Sequence, residues 1–189
     1  MGIRKVKKEE LLEQATNLFR TRGYHGTGMQ HIADALDINK ASLYHHVIDK
    51  ENLGRVVLQR VRQHFHDHIF ILAYETSSAK DRLTRLGAAL EAYFIVSKGG
   101  CLMANFTLEL GQSIPVFASE IQGFFEDWIN ALAHIFSVRC TIEQAKELAT
   151  ESVARFQGTL IQYRLGEAEG LLRERQRLIE QFEEAKSSQ

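Results

Sequence analysis

One stretch, residues 27–53, constrains the fold more than any other part of the chain. Within TGMQHIADALDINKASLYHHVIDKENL, apolar side chains recur every three or four residues on both sides of Asp37-Ile38-Asn39. The pattern predicts two short helices that bury their apolar faces on each other, with the small Ala33 where they cross. The second helix keeps a polar and aromatic outer face that suits DNA. The apolar positions are Ile32, Ala33, Leu36, Ile38, Leu43 and Val47.

The composition favours a soluble, all-helical protein. Of 189 residues, 44% are hydrophobic and 25% charged, which is ordinary for a globular chain. There is one proline and no run of alternating β-branched residues. No uninterrupted apolar stretch approaches about 18 residues and none follows the basic N-terminus, so we expect no membrane span, no signal peptide and a cytoplasmic location. Cys101 and Cys140 fit a reducing compartment better than a disulfide framework.

Charge is unevenly distributed along the chain. Residues 1–60 hold ten Lys and Arg against seven Asp and Glu, whereas the remaining residues hold thirteen against seventeen. The basic end coincides with the helix-turn-helix pattern, and phosphate binding needs only such a local positive face. Arg4, Lys5, Lys7 and Lys8 form either a solvated terminus or an arm that touches the DNA backbone.

Cap signals predict where the helices begin and end. Gly23 closes the first helix, Thr27 with Gln30 reads as a capping box for the second, and Asn39 and Asp49 cap the next two. The same signals continue through the rest of the chain and predict about nine helices in all. The long helix that follows Asp49 should end near Tyr74. Further signals are a cap at Ser78 with Asp81, a helix end at Gly99-Gly100, breaks at Gly111 and Pro115, a cap at Thr141 with Gln144, and a helix end at Gly166.

A set of fixed positions in the N-terminal third follows a known pattern. Its members are Gly23-Tyr24, Thr27, Ile32-Ala33, Ile38, Leu43-Tyr44, His45, Lys50-Glu51 and Leu53. In these residues the chain resembles the DNA-binding domain of the TetR family of bacterial transcriptional regulators, over roughly residues 7–55. Beyond residue 60 only the helical layout agrees. The resemblance implies an all-α protein with a three-helix helix-turn-helix DNA-binding head, residues 1–48, and a larger helical ligand-binding and dimerisation domain, residues 49–189.

Four positions depart from the family pattern. Asp37 stands where the family usually has glycine in the turn, and aspartate tolerates a left-handed backbone better than most residues. Gly28 replaces a hydroxyl residue that often reaches phosphate. His46 and Val47 stand where two aromatic residues are common, so the outer surface of the recognition helix is individual to this chain.

The resemblance also implies which residues contact DNA. Those facing the major groove or its walls are Lys40, Ala41, Ser42, Tyr44 and His45, and those contacting phosphates are Thr27, Tyr44, His46 and Lys50. Gln30 points toward the same groove from the preceding helix. Its amide and the Lys40 ammonium suit purine edges, and Ala41 suits a thymine methyl group. The alternative for Tyr44 is a ring packed under the head with its hydroxyl in water.

Family members resemble each other in being homodimers. Two heads about 34–36 Å apart would read successive major-groove turns of a pseudo-palindromic double-stranded DNA operator. We expect the last two long helices to pair across the two-fold axis as a four-helix bundle. The alternative is that their small and apolar residues only complete the monomer core. The residues concerned are Ala145, Ala149, Ser152, Phe156 and Leu160.

A small-molecule pocket in the body is also implied, where an effector of unknown identity would spread the heads and weaken DNA binding. Apolar residues at helical spacing need no ligand to explain them and are more often plain core, and no buried charge indicates a ligand class. The candidate walls are Leu90, Phe94, Met103, Phe106, Leu110, Phe124, Trp128 and Phe156.

Cys101 is a further candidate in that pocket. It follows Gly99-Gly100 at a predicted helix start, where the helix dipole lowers the pKa of a thiol. The segment GGCLMANFTLEL is similar to a Gly-Cys-Leu turn of some TetR-type regulators, among them ones that respond to electrophiles or oxidants. The alternative is a small buried residue that fills the helix start.

Other chemistry is poorly represented. His64 and His68 lie one helical turn apart, a spacing that can hold Zn or Ni, but two imidazoles are too few for a closed site. We therefore expect no metal and no cofactor, with both histidines solvated or facing a dimer partner. No nucleophile elbow or phosphate loop is present, so an enzyme is not expected. The sequence favours a ligand-responsive repressor over the alternative, an architectural DNA-binding protein controlled by a protein partner.

Overall fold

The computed structural model describes residues 6–97, 100–110 and 115–185. These residues form nine α-helices, one 3₁₀ helix and no strand, which confirms the predicted all-α fold. Three predictions concern residues outside these ranges: the arm at Arg4 and Lys5, the helix end at Gly99 and the break at Gly111. The helices are α1 (Lys8–Arg22), α2 (Met29–Ala35), α3 (Lys40–Leu43), α4 (Lys50–His68), the 3₁₀ helix (Phe70–Tyr74), α5 (Ala79–Ser97), α6 (Leu102–Leu110), α7 (Pro115–Phe136), α8 (Ile142–Arg164) and α9 (Gly170–Glu184).

Contacts divide the chain into two compact units. The first unit contains the residues up to Arg62 together with Cys101–Ile121, and the second contains Gln63–Gly100 together with the residues from Gln122 onward. Helices α1 to α3 and α6 therefore belong to the first unit, whereas α5, α8 and α9 belong to the second. The functional division at residues 48 and 49 stays a prediction. Within the described ranges no single helix is long and apolar enough to cross a membrane, and α5 and α6 reach that criterion only when taken together.

The helix-turn-helix forms where the spacing predicts it. Ile32, Ala33, Leu36 and Leu43 are fully buried, so the apolar faces of α2 and α3 are covered. Between them Asp37 has a φ of 53°, the left-handed conformation that aspartate tolerates better than most residues. The turn is closed by the Ile38 N–H, which donates to the Ala33 carbonyl at 3.1 Å.

Most of the predicted caps are confirmed. Gly23 ends α1 with a φ of 77°. The Asn39 carboxamide oxygen accepts the Ser42 N–H at 2.7 Å, and an Asp49 carboxylate oxygen accepts the Asn52 N–H at 2.7 Å. In the second unit the capping box at Thr141 and Gln144, the Ser78 cap of α5 and the positive φ of Gly166 after α8 also form as predicted.

The capping box predicted for Thr27 and Gln30 is wrong. Gly28 is the N-cap residue of α2, and its N–H donates to Nδ1 of His31 at 3.1 Å. Histidine at the third helical position thus does what glutamate or glutamine does in a standard capping box. The prediction failed because the Thr27 hydroxyl donates instead to the carbonyls of Gly23 and Leu18.

The long helix after Asp49 is shorter than predicted. α4 ends at His68, and the chain continues to Tyr74 as a 3₁₀ helix. With three residues per turn, Phe70 and Ala73 fall on one side, and both are buried. The tighter winding therefore keeps these two apolar side chains inside the second unit.

Each unit has its own aromatic core. In the first, the buried Tyr24 ring lies 5.6 Å from Phe19, 5.4 Å from Phe106 and 5.3 Å from Phe117, mostly edge to face. α4 approaches this cluster through Gly54, where an added Cβ would lie 3.0 Å from the Phe117 ring.

The second unit is built around Trp128. Its ring is 5.2 Å from Phe156, 5.9 Å from Phe124 and stacked 6.3 Å from Phe94. Aromatic pairs in these geometries add stability beyond the area that they bury.

A polar network links α8 and α9 in the second unit. The Arg155 Nε donates to both carboxylate oxygens of Glu174, at 2.8 and 3.0 Å. Its guanidinium also donates to Gln181, which accepts the Ser152 hydroxyl at 2.7 Å. Glu174 is buried, and burial raises the pKa of its carboxyl while the Arg155 charge and hydrogen bonds oppose that shift.

The prediction of which residues form the dimer contact is wrong. All five are buried within the single chain, none more than 3% exposed, so they complete the core of the second unit. Small residues permit close helix approach within a chain as well as between chains, and here α8, which carries all five, packs against α9 of the same chain. The residues are Ala145, Ala149, Ser152, Phe156 and Leu160.

Candidate nucleic-acid interface

The surface formed by α3 and the turn after it is polar and exposed. Tyr44 keeps 46% of its surface accessible, which favours the outward orientation over a ring packed under the head. Ser42 is half-buried, and its N–H donates to the Asn39 cap. On α3 and this turn, the exposed members of the predicted DNA-contacting set are Lys40, Ala41, Tyr44, His45 and His46.

The recognition element is wound more tightly than a long α-helix. Only Lys40–Leu43 is α-helical, and beyond it the His45 and His46 N–H groups donate to the carbonyls of Ser42 and Leu43 at 3.3 and 3.0 Å. Leu43 and Val47 are buried and fix this turn from beneath. The polar side chains are thereby held on the outside of a short, anchored segment.

Thr27 has a different role from the predicted one. It is fully buried, and its hydroxyl donates to the carbonyls of Gly23 and Leu18 at 2.7 and 3.1 Å. Its N–H donates to the Tyr24 carbonyl. Thr27 therefore ties α2 to the end of α1, and its side chain is not available to a phosphate.

Gln30 is exposed on α2 and bonded to its own helix. Its Nε2 donates to a carboxylate oxygen of Asp34, one turn further on, at 2.7 Å. One N–H of the amide group is thus engaged within α2.

Lys50 lies at the start of α4, half-buried against Tyr24. Its ammonium is 4.3 Å from the centre of the Tyr24 ring, a cation–π contact. Burial lowers the pKa of Lys50, and the charge of Glu109 opposes that shift. Sequence reasoning missed Glu109, which is 59 residues further along the chain and carries no local signal.

Comparison with known proteins agrees with this geometry. The family model for bacterial regulatory proteins of the tetR family matches residues 11–55, which contain the helix-turn-helix. The chain is 30% identical over 141 residues to the HTH-type transcriptional repressor DhaR of Mycobacterium sp., covering 72% of this chain and 66% of that protein. A TetR transcriptional regulator from Legionella pneumophila superposes with a TM-score of 0.83 at 26% identity, covering 96% of this chain and 98% of the other. The chain belongs to the TetR family.

The relatives of this chain differ in the sign of their action on transcription. Beside the repressor DhaR, the chain is 36% identical over 91 residues to the HTH-type transcriptional activator FasR of Mycolicibacterium smegmatis. The matched segments span 66% and 40% of these two relatives, so the chain spans less than two thirds of their length.

The predicted pocket wall of this TetR-family chain is divided between the two units. All nine members are buried. Phe106 packs with Phe19, Tyr24 and Phe117 in the first unit, whereas Phe94 and Phe156 surround Trp128 in the second. Cys101, Met103, Phe106 and Leu110 belong to the first unit, and Leu90, Phe94, Phe124, Trp128 and Phe156 to the second.

The structure gives little support to a reactive thiol at Cys101 or to a metal site at His64 and His68. Cys101 immediately precedes α6, as predicted, but is only 4% exposed, which favours its role as a small filler. The rings of His64 and His68 are 4.9 Å apart. The described residues offer them no third ligand, since no group of three His, Cys, Asp or Glu there could hold a metal ion.

Proposed function

We propose that this TetR-family chain is a transcriptional repressor that binds a pseudo-palindromic DNA operator as a homodimer and is released by a small-molecule effector. One observation carries the proposal: α3 and its following turn expose a compact set of polar side chains while their apolar side is completely buried. A short helix held in this way is suited to enter the major groove.

We propose the following roles for the individual residues. Lys40 and His45 read base edges, Ala41 packs against a thymine methyl group, and Tyr44 and His46 contact phosphates. Lys50 contributes a phosphate contact from α4. Gln30 presents its carbonyl oxygen and its remaining amide N–H, because Asp34 engages one N–H of the pair. Thr27 makes no DNA contact in this scheme, because its buried hydroxyl bonds to backbone carbonyls of α1 and of the loop after it.

The homodimer contact is proposed for the outward side of α8 and α9. Three residues of α8 and its C-cap residue recur every three or four positions and are all exposed, the last at 83%: Ala154, Gly158, Ile161 and Leu165. Next to them a groove of about 600 Å³ runs between α8 and α9, with Arg173, Arg177 and Glu180 on its α9 side. Both charge signs are present, so a two-fold related copy could place Arg opposite Glu while burying the apolar stripe.

The effector is proposed to bind among the aromatic side chains around Trp128. That cluster offers ring faces and edges to an apolar or aromatic molecule. The alternative signal is an electrophile that reacts with Cys101. Because Cys101 is buried, we expect its thiol to be alkylated slowly. Measuring the alkylation rate of Cys101 with iodoacetamide, against a free cysteine peptide, separates these signals.

Selection of duplexes from a random pool tests DNA binding. We expect the purified chain to enrich a pseudo-palindrome. Lys40→Ala should relax the preference at one base position, at a cost of about 1–3 kcal/mol, and Lys50→Ala should lower the salt slope by about one. Lys146→Ala, exposed on α8, is the matched control. Failure to enrich any sequence, or equal effects of Lys40→Ala and Lys146→Ala, would overturn the proposal.

Sedimentation tests the dimer. Leu165→Asp places a charge on the proposed stripe, and Ile142→Asp places one at a similarly exposed residue, 76% against 83%, on another side of α8. We expect the first variant to be monomeric and the second dimeric. Adding candidate metabolites to the operator assay then tests release, and binding that persists with all of them favours an architectural protein controlled by a protein partner.

A further inference from the structure

The last turn of α6 carries a carboxylate that binds the backbone of the head. One oxygen of Glu109 accepts the Tyr24 N–H at 2.7 Å, and the other accepts the His25 N–H at 2.5 Å. Two successive backbone N–H groups form a small anion-binding concavity. A side chain 85 residues away in the chain fills it.

The adjoining glycine is shaped for this contact. Gly23 ends α1 with a φ of 77°, and a Cβ at that position would lie 2.6 Å from a Glu109 carboxylate oxygen. A side chain there would therefore be strained by its backbone and would displace the carboxylate. Gly23 thus serves both the helix end and the approach of Glu109.

A second α6 side chain supports the same junction. The Asn105 amide donates to the Arg20 carbonyl in the last turn of α1 at 3.3 Å. Asn105 and Glu109 are four residues apart, so they lie on one side of α6. Together they bind the end of α1 and the loop that leads into the helix-turn-helix.

The Glu109 carboxylate also affects the position of Lys50, through Tyr24. Tyr24, whose N–H Glu109 accepts, carries the Lys50 ammonium over its ring at 4.3 Å. Positioning of the Tyr24 backbone therefore also positions the surface against which Lys50 rests. Glu109 thus binds the loop after α1, and Lys50 lies over the ring of the tyrosine whose N–H Glu109 accepts.

We propose that Glu109 is a positioning residue of the DNA-binding head, which sets the loop after α1 and the placement of Lys50 for specific DNA binding. The DNA part of this inference rests on the proposed function. A purely electrostatic role makes the opposite prediction, because an anion near a DNA-binding surface repels phosphate and its removal strengthens binding to every duplex.

Amide exchange tests the contact without DNA. In the full chain, the Tyr24 and His25 N–H groups should be protected, and Glu109→Ala should accelerate their exchange by about tenfold or more, the loss expected for hydrogen bonds to a charged group. Glu109→Gln retains one acceptor and should accelerate them less, which also guards against a variant that fails to fold. Unprotected N–H groups in the unsubstituted chain, or unchanged rates in Glu109→Ala, would refute the contact.

DNA binding tests the consequence. For the duplex selected by the unsubstituted chain, Glu109→Gln should weaken binding about tenfold, while binding to a scrambled duplex is unchanged or stronger. Glu13→Gln, which removes the same charge from an exposed position of α1, is the control and should not lower specific binding. Equal strengthening on both duplexes, or no change on either, overturns the positioning role. If no duplex is ever selected, the proposed function fails, and the exchange rates still decide whether Glu109 holds the head.

Discussion

Removal of Arg155 should destabilise the chain strongly, and by an amount that depends on pH. Glu174 is only 3% exposed in its side chain and has both oxygens bonded to the Arg155 guanidinium, which is itself 28% exposed. Breaking a buried ion pair from one side costs about 3–5 kcal/mol, because the remaining charge is left without a partner. The partial exposure of Arg155 places our expectation for Arg155→Met near the lower end, about 3 kcal/mol, or about 6–12 °C in melting temperature.

The pH dependence of the stability follows from the ionisation of the Glu174 carboxyl. Burial raises the pKa of Glu174 above its ordinary value of 4.5, so the folded chain holds this proton more tightly than the unfolded chain. Its contribution to stability is therefore fully present below pH 4.5 and is lost as the pH rises through the folded-state pKa. Arg155→Met removes the opposing positive charge and raises that pKa further. The stability defect should thus be larger at about pH 7.5 than at about pH 5.

Urea unfolding followed by circular dichroism, at one protein concentration and both pH values, measures the effect. Glu174→Gln removes the buried charge, keeps one acceptor for Arg155 and should change the free energy of unfolding by less than about 1 kcal/mol. The double variant should recover most of the loss seen in Arg155→Met. A defect under about 1 kcal/mol at both pH values, or one of equal size at both, would refute the reasoning.

Three local substitutions make further predictions, each measured by urea unfolding. Gly26→Ala should cost about 2 kcal/mol, because its Cβ would lie 2.3 Å from the rigid Arg22 carbonyl oxygen; a neutral result contradicts this. Asn39→Ala should cost about 1 kcal/mol through loss of the cap on the Ser42 N–H, and Asn39→Asp should restore it. Asp37→Gly should gain about 1 kcal/mol by relieving a φ of 53°, and a loss would show that the aspartate side chain is needed there.

The sequence by itself determined the local features of the head. The burial pattern of α2 and α3, the caps at Asn39 and Asp49 and the left-handed turn at Asp37 all formed as expected. Each depends on residues within about four positions of one another, where helical periodicity and the hydrogen-bonding reach of a short side chain decide the outcome. The exposed set from Lys40 to His46 follows from that same periodicity.

Only the tertiary structure decided which partner each ambiguous side chain takes. Thr27 reads as a helix cap, yet its hydroxyl bonds back to Gly23 and Leu18 because the head buries it against α1. Ala149 reads as a dimer contact, yet it is fully buried within the single chain. Glu109 carries no local signal, and its contact with Tyr24 exists only because folding brings α6 to the end of α1. Periodicity shows which side of a helix is apolar, but whether that side meets its own chain or another surface depends on neighbours that are distant in sequence.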